Sequence, residues 1–161
     1  MKLSGYENYE AVISRMLEGP YWVIDLVPDQ VPAGARGQYP AVERYFRQPD
    51  RLASLYRKYA ELLLKLNCYN DMIISLDSCE TMEINPDPEA FVQSVSALAG
   101  PDGASGGRYL RAFFPAEEVM VDLDPGDTYV TVYDPKEKLL GKIRMLAAAD
   151  GLFVWQPPQE D

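Results

Sequence analysis

The chain has no histidine among its 161 residues. That absence removes Ser-His and Cys-His nucleophilic dyads, His-ligated zinc and imidazole acid–base chemistry together. An enzyme built on this sequence would have to work with carboxylates, a lysine, a tyrosine or a cofactor. Cysteine is nearly absent as well: Cys68 and Cys79 stand alone, with no CxxC spacing. They form no disulfide framework, fit a reducing compartment and read as two small buried or half-buried thiols. No apolar run approaches the ~20 residues that span a bilayer. The N-terminus, Met1-Lys2-Leu3-Ser4-Gly5-Tyr6, carries no hydrophobic signal region. The expectation is therefore a cytoplasmic protein with no membrane partner.

Basic charge is scarce and unevenly placed. Lys and Arg number 15 against 25 Asp and Glu, a net charge of −10. Seven of the bases fall in residues 36–65, whereas residues 66–134 hold two bases against thirteen acids. Net acidity disfavours nucleic acid and anionic lipid and suits a basic protein partner, although solubility alone also accounts for it. Arg44, Arg51, Lys58 and Lys65 recur every seven residues, but Pro49 interrupts the line, no aromatic interleaves it, and i, i+4 pairs such as Arg57–Glu61 mark a solvated face.

What is present is an ordinary globular composition, 47% apolar and 25% charged. A chain this long forms one domain over residues 1–161 and buries roughly 70% of its unfolded surface, enough for an unstapled core. Residues 156–161 read as a frayed acidic tail. Ser4 to Glu7 resembles a capping box, followed by a helical face of Tyr6, Tyr9, Ile13, Met16 and Leu17 that stops at Gly19-Pro20. Tyr21 to Val27 is a strand, with Trp22, Ile24 and Leu26 on one side and Tyr21, Val23, Asp25 and Val27 on the other.

Pro28 to Pro40 is a loop long enough to suggest a role. Pro40 opens a short helix through Phe46. Asp50 caps a long helix whose Leu52, Leu55, Tyr56, Tyr59, Leu62, Leu63 and Leu66 repeat at helical spacing. Further strands are expected over Asn70–Asp77, Tyr109–Phe114, Val119–Leu123, Thr128–Tyr133 and Leu152–Trp155. A helix starts at Asn85–Glu89 and another at Pro135. The fold class is α+β: a mixed sheet of about five to six strands with helices packed mainly on one face, or alternatively a three-layer α/β sandwich.

Asp122 to Asp127 superficially resembles a calcium loop, but its register fails: Gly falls at position 5, an acid at 6 and Tyr133 at 12. Asp-Pro-Gly-Asp is instead hairpin-turn chemistry. The glycines of residues 100–107 lack the Lys-Ser/Thr and the strand-to-helix setting of a phosphate loop. No metal and no cofactor is expected. Asp25, within an apolar strand, is the acid of most interest: burial would raise its pKa, but lone buried acids are rare, and the expectation is an open face with Asp25 an ordinary strand acid. Arg36, in the loop, could grip an anion.

The alternation also leaves Asp25, Ser75, Asp77, Asp122, Tyr129, Thr131 and Tyr133 on the sheet face away from the helices, with Tyr129 and Tyr133 removable without loss of fold. The leading functional expectation is a non-catalytic, interaction or inhibitor-like domain that meets a basic protein surface with this open face, using Asp122, Tyr129 and Tyr133. The alternative is a small-ligand or carboxylate-dependent enzyme pocket beside Asp25, Arg36 and the Pro28–Pro40 loop. A homodimer on the same sheet face is a third. A pocket enclosing Asp25 favours the second; a flat exposed tyrosine face favours the first.

Overall fold

The computed structural model describes residues 9–77, 81–101, 103 and 106–158. The capping box at Ser4, Tyr6, Cys79 and the end of the acidic tail lie outside the described residues. In chain order the elements are α1 (Tyr9–Glu18), β1 (Tyr21–Asp25), α2 (Tyr39–Phe46), α3 (Pro49–Asn67), β2 (Ile73–Ser75), β3 (Glu83–Ile84), α4 (Pro88–Ala97), β4 (Leu110–Phe114), β5 (Val119–Leu123), β6 (Val130–Tyr133), α5 (Glu137–Ala149) and β7 (Phe153–Trp155).

The fold is α+β. One seven-stranded sheet runs in the order β3-β2-β4-β5-β6-β1-β7. Every pairing in it is antiparallel, where the sequence expectation was a mixed sheet of five to six strands. The reason lies in two split crossovers. Strands β3 and β4, joined through α4, both flank β2; strands β6 and β7, joined through α5, both flank β1. Each β-α-β unit therefore brings its strands back parallel, but an antiparallel strand from elsewhere in the chain fills the gap between them. The extra strand is β3, two residues long and too short to leave a periodic signal.

Helix α3 begins with Pro49 at its first turn and Gln48 at the N-cap; Asp50 lies in the first turn rather than capping it. All seven of its patterned side chains are buried. They form the main core with Phe91 and Val95 of α4, Leu139 and Ile143 of α5, and the inward residues Ile24, Ile74, Leu110, Ala112, Val121, Val130 and Val132 of the sheet. Asp87 caps α4 by accepting from the Ala90 N–H at 3.0 Å.

The Asp124–Asp127 segment is the hairpin turn the sequence indicates. The Asp127 N–H donates to the Asp124 carbonyl at 3.1 Å, and Gly126 takes φ +96°, which a side chain would resist. Tyr56 pins this turn from α3: its hydroxyl accepts from the Gly126 N–H at 3.0 Å and donates to the Asp127 carbonyl at 2.7 Å.

Helices α3, α4 and α5 share one face of the sheet, so packing is mainly one-sided. The other face is only half open. Ile13 and Met16 of α1 cover Ile73, Phe113 and Met120 there, joined by Tyr9, whose ring meets Phe113 edge-on at 5.3 Å. Cys68 also departs from expectation. It sits at the C-cap of α3 and is exposed, because it follows buried Leu66 by two residues and so falls on the opposite side of the helix. Among the described residues no helix is long and apolar enough to cross a membrane.

Candidate functional site

Over β6, β1 and β7 the half of the outer face that no described helix covers is a groove of about 680 Å³. Strand alternation supplies its floor: Tyr21, Val23 and Asp25 from β1, Thr131 and Tyr133 from β6, Trp155 from β7. Register brings them together, with Tyr21 opposite Tyr133, Val23 between Thr131 and Trp155, and Asp25 opposite Phe153. The loop after β1 contributes Asp29, Gln30 and Val31, α2 adds Tyr39, and the β5–β6 turn adds Asp124. Leu17, expected to face inward, is 46% exposed and forms part of the rim, since α1 turns its Ile13–Met16 stripe to the sheet instead. Pro157 also lines the groove, so the start of the expected frayed tail belongs to its wall.

Asp25, expected on an open face, is instead the deepest of the groove's acids, only 7% exposed, because the loop after β1 and Trp155 of β7 close around it. Its Oδ1 accepts the Leu26 N–H at 2.6 Å. Burial pushes its carboxyl above the usual carboxylate range. The Leu26 N–H and the neighbouring Trp155 indole pull part of the way back, and Glu43 of α2 adds a like-charge push. The indole N–H of Trp155 is itself buried beside Asp25 without a well-formed hydrogen bond. Burial also lifts the Tyr39 phenol to about 12, with help from its 2.8 Å hydrogen bond to Glu43, and lifts Tyr133 to about 12. Tyr129 moves in the same direction by burial and by nearby Asp127 and Asp124. These phenols therefore stay neutral at physiological pH and act as hydrogen-bond donors and aromatic faces.

Asp25, Tyr129 and Tyr133, three of the five residues singled out by sequence, converge here. Tyr129 is 39% exposed, whereas Tyr133 is half-buried against the α1 cluster and Tyr21. Asp122 does not join them. It lies on the same face but is nearly buried, and Arg111 of β4 holds it bidentately at 2.9 and 2.8 Å. Arg36 sits exposed in the loop and is not part of the groove lining. Sequence reasoning missed Trp155 and Tyr39. Trp155 reaches Asp25 only through the pairing of β7 with β1, which joins the two ends of the chain.

The basic line is partly consumed internally. Lys58 donates to the Asp150 carbonyl at 3.2 Å, Lys65 lies 3.9 Å from its carboxylate, and the Arg51 guanidinium stacks 3.7 Å from the Tyr45 ring centre.

No known protein family, curated protein or solved structure matches this chain. The chemistry of the site is a buried carboxyl and two further acids among aromatic rings, with no lysine or arginine among the described lining residues.

Proposed function

We propose that the protein is a non-catalytic binding module that captures a basic protein partner in the groove of its outer sheet face. The observation that carries this reading is the lining. Asp25, Asp29 and Asp124 sit among tyrosines and a tryptophan, without a compensating cation among the described lining residues. Aromatic rings with polar tips suit an interface anchor, and single-sign charge suits a partner of the opposite sign. The net charge of −10 steers such a partner at long range. A symmetric homodimer through this face would set one acidic groove against another, which like-charge repulsion disfavours. The same acids repel nucleic-acid phosphates.

A small-ligand pocket is the second reading. It is favoured by one observation, the enclosure of Asp25 in a groove whose volume lies in the range of ligand sites.

Titration of the intrinsic tryptophan fluorescence separates basic recognition from general stickiness. A lysine octapeptide should bind at low salt and weaken as salt shortens the screening length, while a glutamate octapeptide should not bind. Equal response to both, or none to the basic peptide, would contradict the proposal.

A further inference from the structure

Two aspartates on the outer face are nearly buried, and they are treated differently. Asp122 has its cation: the guanidinium of Arg111 makes two hydrogen bonds to it and lies 5.3 Å from the Tyr109 ring centre. Asp25 is as deeply placed, but no described Lys or Arg lies within ion-pair distance of it. Among the described residues the Leu26 backbone N–H occupies its Oδ1, and the Trp155 indole lies against the carboxyl. A carboxylate taken out of water without a counter-charge is a costly arrangement to keep in a fold. The space above it is open, aromatic-walled groove.

We infer that the groove is built to receive one guanidinium, an arginine side chain of the partner, ion-paired to Asp25 and stacked among the groove's aromatic rings. This rests on the proposed capture of a basic protein. Arg111, Asp122 and Tyr109 supply the template within the same molecule: a carboxylate, a planar cation and a phenol ring. Guanidinium fits better than ammonium for two reasons. It is more weakly hydrated, so entering the groove strips less water, and its flat face stacks on aromatic rings.

The size of the groove argues that the arginine belongs to a polypeptide. At about 680 Å³ it is far larger than one side-chain head, leaving room for the flanking residues.

The test uses three lysine octapeptides that differ at one central position, which is lysine, arginine or citrulline, titrated calorimetrically against the full chain. Arginine should tighten binding about tenfold over lysine, as expected of a charge-assisted bidentate contact, and citrulline should fall below both. Asp25→Asn keeps the Leu26 acceptor and should erase the arginine preference. Asp29→Asn should weaken all three peptides alike. Because the arginine–lysine–citrulline ranking is read on the unmodified protein, it stands even if a variant fails to fold.

Equal binding of arginine and lysine, or an arginine preference that survives in folded Asp25→Asn, overturns the guanidinium assignment but leaves basic-partner capture standing. Binding of N-acetyl-arginine amide as tight as that of the arginine peptide overturns the polypeptide source. No binding by any of the peptides overturns both this inference and the proposed function.

Discussion

Replacing Arg111 by methionine should strongly destabilise the protein, and the size of the loss can be worked from the pair it breaks. Arg111 and Asp122 face each other in register across β4 and β5, with side chains 12% and 10% exposed. Both guanidinium–carboxylate bonds are short, at 2.9 and 2.8 Å. At such low exposure the pair is little screened, and removing one partner leaves a buried charge, a loss of about 3–5 kcal/mol. Methionine keeps much of the aliphatic stem, so packing against the neighbouring strand accounts for little of that figure.

The pH dependence follows from the same pair. Burial already places the Asp122 carboxyl above the usual carboxylate range, with the hydrogen bonds and charge of Arg111 as the influences holding it down. Without Arg111 it rises further. A group whose folded-state pKa is raised loses stability as pH climbs through that value, so the penalty should be greatest near neutrality and shrink on acidification. Urea melts of wild type, Arg111→Met, Asp122→Asn and the double variant over a pH series would measure it, with the double variant recovering most of the loss. A loss under about 1 kcal/mol at neutral pH, or one independent of pH, would refute the reasoning that an unpaired carboxylate buried on this face is costly.

Other expectations are simpler. Asp25→Asn should match the wild type at acid pH and exceed its stability by about 1–3 kcal/mol at neutral pH, since the raised carboxyl costs the fold only once it ionises; thermal melts at two pH values decide it. Leu63→Ala, at a fully buried position of α3, should cost about 2–5 kcal/mol in denaturant melts. Tyr129→Ala should leave the fold nearly intact while removing about 2 kcal/mol or more of binding to a basic peptide. Tyr133→Ala should also lose stability, because that ring packs against the α1 cluster; circular dichroism melts separate the two.

Much of this architecture was legible because burial is one-sided. Valine alternates with threonine and tyrosine along β6, and the apolar stripe of α3 repeats at helical spacing, so local periodicity reports which side faces the core. The same alternation placed Asp25, Tyr129 and Tyr133 on one outer face. Other features depend on contacts between distant segments, which periodicity does not encode. The stripe of Ile13 and Met16 marks a buried helix face but not which side of the sheet receives it, so the partial cover over Tyr133 was invisible. The insertion of β1 between β6 and β7 is a non-local pairing, and it alone brings Trp155 beside Asp25. Asp122 appeared as a free surface acid because its partner across the hairpin, Arg111, becomes its neighbour only once the β4–β5 register is fixed.

The most direct test of groove recognition is an NMR titration of the isotopically labelled chain with the arginine-centred lysine peptide. The protein has two tryptophans, Trp22 on the helix side of β1 and Trp155 in the groove, so its two indole N–H signals report opposite faces of the sheet. The Trp155 indole should shift strongly, together with the backbone amides of Tyr21, Val23, Asp25 and Thr131, while the Trp22 indole stays in place. Shifts centred on the helix layer, or spread evenly over the acidic surface with Trp155 unmoved, would contradict the account.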